Sequence, residues 1–268
     1  MADFSGTVTF ITGASSGIGR ALALEIARLK GDVVLAARRR NRLAILANEI
    51  EALGGRALPV ACDVARDGDC EAAVDLALKQ FGRIDYVVAN AGFGVAGRCE
   101  NLSLEDYRRQ FETNVFGVIR TIQAAKPGLV ESRGCLALVG SVNGYIALPR
   151  LSAYVMSKYA VHGLADSLRH EMKGHGVAVT LIVPGFIDTE IRKVDRNGVY
   201  HADMKDRVPP WLRMPADKAA RKIAQALLNR RRQKIITAHA AISILLQRYF
   251  PGLVNLVIAL GGTGRGRD

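Results

Sequence analysis

The sequence predicts a doubly wound α/β fold, a parallel sheet of about seven strands with helices on both faces. Three observations carry that expectation. Seven short β-branched or apolar runs recur along the chain, each bounded by Gly, Asp, Asn or Pro. Stretches of helical period separate most of them, and strands alternating with helices imply right-handed crossovers and parallel pairing. Most of the runs are apolar nearly throughout, so helices are expected to cover both sides of each strand.

The first run, "TVTFITG" at residues 7–13, turns into a helix over 18–30. The turn "TGASSGIG" places Gly13, Gly17 and Gly19 in a GxxxGxG spacing, which is not the GxGxxG of the general dinucleotide fingerprint and is weak as a match by itself. Its physics is shared: glycine lets backbone approach closely, and the first N–H groups of the helix can hold a pyrophosphate. A tight turn that packs a helix on a strand is the plainer reading. The second run, "DVVLAAR", precedes a helix over 41–53. An acid at its end would accept from a ribose 2′-hydroxyl. Ala37 stands there instead, followed by Arg38, Arg39 and Arg40, and a guanidinium fork suits a 2′-phosphate. The expected cofactor is therefore NADP(H), with Arg38 foremost and with Arg40 and Arg42 read as a solvated helix start.

The third run, "RALPVACDV", ends at Asp63 and Val64 ahead of a helix over 68–81, and "IDYVVANAG" ends at Asn90, Ala91 and Gly92 ahead of one over 103–125. "GCLALVGS" ends at Ser141 before a helix over 152–173, "VAVTLIVPG" ends at Pro184 and Gly185, and "QKIITA" follows a helix over 216–229. Ligands of doubly wound sheets sit beyond the carboxyl ends of the strands. Gly13, Arg38, Asp63, Asn90, Ser141 and Pro184 are thus expected to converge.

Within the helix over 152–173, Tyr154 and Lys158 are four residues apart and share one face. A free phenol, with a pKa near about 10, is a poor acid and base at neutrality. A unit charge about 4 Å away at an effective dielectric of about 20 is worth about 4 kcal/mol, so Lys158 is expected to lower the pKa of Tyr154. Tyr145 and Tyr159 lack a lysine at that spacing. Asn114 falls on the apolar stripe of Phe111, Val115, Val118 and Ile122, where an unpaired amide would cost about 1 to 3 kcal/mol, so a partner is expected for it.

Taken together these motifs resemble the short-chain dehydrogenase/reductase family over roughly residues 7–238. "TGASSGIG" resembles the family's TGxxxGxG, "CDV" its adenine-binding acidic turn, "NAG" its NNAG with Ala89 in place of the first Asn, and "NVFG", Ser141, the Tyr154 and Lys158 pair and "PGFIDT" complete the order. The resemblance implies a hydride-transferring oxidoreductase in which Asn114, Ser141, Tyr154 and Lys158 are catalytic. Tyr154 would exchange the proton with the substrate oxygen, Ser141 would hydrogen-bond that oxygen, Lys158 would also hold the nicotinamide ribose, and Asn114 would help to hold a water beside the lysine. It implies a cofactor site of Gly13, Ser15, Ser16, Gly17, Ile18, Gly19, Arg38, Arg39, Asp63, Val64, Asn90, Ala91, Gly92, Tyr154, Lys158, Pro184, Gly185, Ile187 and Thr189. A homodimer or tetramer is implied by the same analogy. A protein that keeps the fold as an NADP sensor or scaffold without turnover is the alternative function.

The length of 268 residues and the apolar share of 49% suit one dinucleotide-binding and catalytic domain over residues 1–268, with no linker or repeat dividing it. Four cysteines without CxxC spacing read as reduced thiols, and five scattered histidines give no metal motif, so no metal is expected. His162 and His170 read as surface or half-buried helix residues. The N-terminus lacks a basic segment before an apolar run, and a cytoplasmic site is expected. A net charge of +12 speaks to anionic partners, but with 6% aromatics and no nucleic-acid module, no nucleic-acid partner is expected.

Residues 190–215 lack a clean period and are expected to close over the substrate, with Val208, Pro209, Trp211, Leu212 and Met214 as an apolar lid for a lipophilic carbonyl or alcohol or, equally, as a cap on the core. The tail, residues 240–268, reads as two short amphipathic helices. Ile242, Leu245, Leu246, Tyr249 and Phe250 form one stripe, and beyond "PG" Leu253, Leu256, Val257 and Leu260 form another. With "NRRRQK" upstream, such a tail can lie on an anionic membrane surface; packing on its own domain or on another subunit is the safer expectation.

Overall fold

The computed structural model describes residues 3–195, 199–206 and 208–262, so positions 196–198 and 207 of the expected lid and 263–268 of the expected tail lie outside the described residues. Seven parallel strands form one sheet: β1 (Val8–Thr12), β2 (Asp32–Ala37), β3 (Ala57–Ala61), β4 (Tyr86–Ala89), β5 (Cys135–Val139), β6 (Ala178–Val183) and β7 (Gln233–Ile235). Their spatial order is β3-β2-β1-β4-β5-β6-β7. The register sets Ile11 opposite both Leu35 and Val88, so β1 lies inside the sheet between β2 and β4. The chain winds outward from β1 to β3, then returns to begin the other half at β4. That reversal opens a crevice at the carboxyl ends of β1 and β4.

Successive side chains still alternate between faces. Phe10, Val34 and Ala36 join one core with the buried sides of α3 (Asp69–Phe81), α5 (Gly117–Ser132) and α6 (Ser152–Lys173). Ile11, Val33 and Leu35 join the other with α1 (Gly17–Arg28), α2 (Arg40–Ala52) and α7 (Ala216–Leu228). Because each face meets helices, both phases of the alternation are apolar, which is why the runs look unbroken in sequence.

The helix expected over 103–125 is three pieces on one path: α4 (Leu104–Phe111), a π-helical stretch (Glu112–Phe116) and α5. A Ser103 and Asp106 capping box starts α4. The helix also runs past Ala125 through Pro127 to Ser132, with Gly128 and Leu129 buried. Burial of Gly128 and Leu129 carries the helix on past Pro127. The last run forms a strand only over its first three residues, β7.

The tail forms α8 (Ala238–Tyr249) and α9 (Pro251–Gly262), which meet at a bend of 118°. The first turns inward through buried Ala240 and partly buried Ile244, which packs on the core. The expected stripe faces the other way. Ile242, Leu245, Leu246, Tyr249, Phe250, Leu253, Leu256, Val257 and Leu260 are all exposed, so of the expected covers its own domain is excluded, and another subunit or a membrane surface remains. Among the described residues no single helix is long and apolar enough to cross a membrane.

Candidate active site

At the crevice, Gly13 has φ +67°, and a Cβ there would lie 2.8 Å from the Ala91 Cα. The loops after β1 and β4 therefore touch through backbone. Asn90 ties them further: its side-chain amide donates to the Thr12 carbonyl at 2.8 Å, and the Asn90 and Ala91 N–H groups donate to the Thr12 hydroxyl at 3.0 and 3.1 Å. Gly19 lies behind this turn, where a Cβ would meet Asn90 Nδ2 and the Gly13 carbonyl at 2.6 Å. It shapes the turn without lining the cleft.

The cleft has a volume of about 400 Å³ and runs along the carboxyl edge of the sheet. One end holds Arg38, Arg39, Asp63 and Val64; the middle holds Gly13, Ser15, Ser16, Gly17, Ile18, Asn90, Ala91, Gly92 and Thr189, which lies against Gly17; the other end holds Ser141, Tyr154, Lys158, Pro184, Gly185 and Ile187. Of the expected site residues, only Gly19 and Asn114 stand outside the lining. The first turn of α1 carries no acidic residue, and Ser16 makes no side-chain cap there, so its N–H groups and positive dipole end remain available to an anion. An elongated cleft with a glycine floor, an open helix N-terminus at its waist and arginines at one end fits a nicotinamide dinucleotide.

Ser141 follows β5, and its hydroxyl accepts from the Asn143 N–H at 3.1 Å. Tyr154 and Lys158 project from α6 one turn apart, the ammonium 5.7 Å from the centre of the Tyr154 ring. That ammonium is buried and donates to the Val139 carbonyl at 2.8 Å. Burial brings it down to about 8. Burial also pushes the Tyr154 phenol above its ordinary value, against the pull of the Ser141 hydroxyl and the Arg192 guanidinium. The expectation that Lys158 lowers Tyr154 is thereby corrected: the ammonium lies over the ring and donates to a carbonyl, and burial of the phenol outweighs the lowering pulls of Ser141 and Arg192.

Asn114 sits in the π-helical stretch, a common device for turning a side chain toward a site. Its Nδ2 donates to the Phe93 carbonyl and the Ser157 hydroxyl at 3.0 and 3.1 Å, and its Oδ1 accepts from the Phe93 N–H at 3.1 Å. It joins the loop after β4 to the turn of α6 between Tyr154 and Lys158.

His162 is buried, deeper than the surface or half-buried place expected for it. Its ring is wedged against the turn that carries Ser141: a Cβ on Gly140 or on Gly144 would lie 2.3 Å from a ring atom. Nε2 accepts from the Ser141 N–H at 3.3 Å, which places the proton of the neutral ring on Nδ1. Burial first, then the charges of Lys158 and Arg169, depress it to about 4.

Several lining residues escaped the sequence reading. Glu190, Ile191, Arg192, Val194 and Tyr200 line the cleft from the segment after "PGFIDT". Of the two expectations for the apolar residues of this segment, lid or cap, Met214 packs on the core as a cap would; Trp211 is 82% exposed, and none of Val208, Pro209, Trp211, Leu212 or Met214 lines the cleft. Arg42 is corrected too, because its Nη1 donates to both Glu190 oxygens at 2.7 and 2.8 Å. His239 of α8 accepts from the Phe186 N–H at 3.1 Å, so the tail buttresses the loop after β6.

Known proteins share this fold. The profile of the short chain dehydrogenase family matches residues 7–199. The chain belongs to that family. A relative from Sesamum indicum called 11-beta-hydroxysteroid dehydrogenase A is 33% identical over 96% of this chain and 76% of its own length, which sets the chain in the hydroxysteroid-dehydrogenase-like branch. The fold matches a Burkholderia phymatum short chain dehydrogenase/reductase solved in complex with NAD, with a TM-score of 0.83 and 27% identity over 94% of this chain and 96% of that one. It also matches a Thermococcus sibiricus alcohol dehydrogenase complexed with 5-hydroxy-NADP, with a TM-score of 0.75 and 29% identity over 85% and 95% of the two chains. The protein is an oxidoreductase of this family.

Proposed function

We propose that this short-chain dehydrogenase uses NADP(H) to interconvert a lipophilic ketone or aldehyde and the corresponding alcohol, acting as one catalytic unit over the whole chain. The observation that carries the reading is the meeting of Ser141, Tyr154 and Lys158 at one end of a cleft whose other end is arginine-rich. The bound dihydronicotinamide would supply a hydride to the carbonyl carbon. A phenol whose pKa is raised by burial stays protonated at neutral pH, so Tyr154 can give its proton to the carbonyl oxygen and be left as phenolate. Ser141 offers that oxygen a second donor as negative charge develops on it. Lys158, one helical turn away, stabilises the phenolate by its charge. Asn114 acts by fixing the α6 turn between them.

NADP(H) is favoured over NAD(H) because Ala37 closes β2 without an acid and because Arg38, exposed at the cleft, has no ion-pair partner among the described residues. The solved relatives bind NAD in one case and an NADP derivative in the other. The name of the Sesamum relative supports a bulky hydroxylated lipid such as a steroid as the substrate class. The exposed stripe of α8 and α9 supports seating on an anionic membrane surface, from which such a substrate would be drawn, with a second subunit of a dimer or tetramer as the competing occupant.

The test is a screen of lipophilic carbonyls followed by NADPH absorbance, with NADH in parallel and with Tyr154→Phe as the control. Turnover that is lost in Tyr154→Phe, while NADPH still binds, supports the enzyme. NADPH binding without turnover in either form would identify a sensor or scaffold, and a clear NADH preference would refute the role of Arg38.

A further inference from the structure

We infer that, beside the unpaired Arg38, Glu190 holds a second set of donors that a cofactor 2′-phosphate draws on, Arg39 and Arg42, so that phosphorylated cofactor and Glu190 compete for these arginines and recognition of the phosphate frees the start of the 190–193 turn. The inference rests on the NADP(H) reading above. Its basis is an ion-pair bridge across the cleft. Arg39 leaves the end of β2 and donates from Nε and Nη2 to the Ser15 hydroxyl at 3.1 and 3.0 Å, from Nη2 to the Ser16 hydroxyl at 2.7 Å, and from Nη1 to Glu190 at 3.1 Å. Arg42, one turn into α2, donates to both oxygens of the same carboxylate, and its guanidinium lies 5.7 Å from the Tyr200 ring centre. One carboxylate on the far wall thus holds two guanidiniums of the near wall.

Charge makes the arrangement an exclusive one. Neither α1 nor α2 carries an acid in its first turn, so Glu190 is the counter-ion of this arginine group. Burial works to raise its pKa, but hydrogen bonds from Arg42 and Arg39 hold it below the ordinary value, and it is ionised at neutral pH. A phosphate monoester dianion brought to Arg39 meets like charge at contact distance. It can gain those N–H donors only as Glu190 gives them up. A cofactor with a free 2′-hydroxyl makes no such demand. Glu190 opens the short helical turn Glu190–Lys193, whose Ile191 and Arg192 also line the cleft; Arg192 is anchored separately on Asp206 and the Ile187 carbonyl, so release of the carboxylate frees the start of the turn and not its end.

The experiment measures dissociation constants of 2′,5′-ADP and of 5′-ADP for the full-length wild type and for Glu190→Gln by titration calorimetry, and follows emission of Trp211, the single tryptophan, which is 82% exposed in the adjoining segment. Glu190→Gln is expected to bind 2′,5′-ADP about three- to tenfold more tightly, the scale of one or two partly exposed ion pairs. Binding of 5′-ADP should change less than about twofold, which also shows that the variant is folded. The Trp211 emission of unliganded Glu190→Gln is expected to approach that of wild type saturated with 2′,5′-ADP. Unchanged or weaker binding of 2′,5′-ADP to Glu190→Gln, or loss of affinity for both ligands alike, would overturn the inference. If wild type fails to prefer 2′,5′-ADP while the variant gains for it, the NADP(H) reading falls and the competition stands; if wild type prefers it and the variant gains nothing, the competition alone falls.

Discussion

Acidification should destabilise this protein through His162, and the size of the effect can be worked from its surroundings. Its ring is buried against the Ser141 turn, and its pKa falls from 6.5 to about 4. Between those values the unfolded chain binds a proton that the folded chain refuses, so stability rises with pH across this window and is lost as pH falls through it. At 1.36 kcal/mol per pH unit, the loss approaches about 3 kcal/mol by pH 4 and is about 2.5 kcal/mol at pH 4.5. Other groups titrate in the same range, and the variant His162→Gln removes them from the comparison: it keeps an acceptor for the Ser141 N–H but cannot be protonated. Urea unfolding of both proteins at pH 7, 6, 5 and 4.5 gives the difference directly. Wild type is expected to lose about 2 to 3 kcal/mol relative to the variant between pH 7 and 4.5. A difference that stays flat over that range would refute the burial of a neutral ring beneath Ser141.

Three further outcomes follow from the same geometry. Lys158 is brought from 10.5 to about 8 by burial, so above pH 8 it is neutral in the folded chain and still charged in the unfolded one; wild type should therefore gain about 2 to 3 kcal/mol relative to Lys158→Met from pH 7 to pH 10, as read by urea unfolding. Arg38→Ala should weaken NADPH binding about five- to tenfold and NADH binding little, as read by calorimetry, because a lone exposed guanidinium contributes about 1 kcal/mol to a phosphate. Full-length protein should co-sediment with anionic vesicles and lose that binding when residues 240–268 are removed; equal behaviour of the two, with a fall in oligomeric mass, would assign the stripe to a subunit contact instead.

What was legible in the sequence is what depends on neighbours along the chain. Strand runs, glycine turns and the i to i+4 pair of Tyr154 and Lys158 are local patterns, and the order of strands with helices fixes where their carboxyl ends point. The exposed residues of α8 and α9 are the very stripe that periodicity picks out, although the stripe turns away from the core. The missed features depend on partners distant in sequence. Nothing near Glu190 announces two arginines about 150 residues upstream. His162 reads as an ordinary helix residue because the glycines that admit its ring, Gly140 and Gly144, belong to another element. The raised pKa of Tyr154 has a related origin. Spacing brings the ammonium near the ring, but burial depth and the Val139 carbonyl, which set the balance, are tertiary facts.

The most direct measurement of the central claim is isotope transfer from NADPH bearing deuterium at the transferable position of C4, supplied with a lipophilic ketone that is turned over, and mass spectrometry of the alcohol. Wild type is predicted to place one deuterium on the carbinol carbon, and Tyr154→Phe to bind the labelled cofactor but form at least about a hundredfold less product. Undiminished label transfer by Tyr154→Phe would contradict Tyr154 as the proton donor, and alcohol formed without label would contradict hydride transfer at this site.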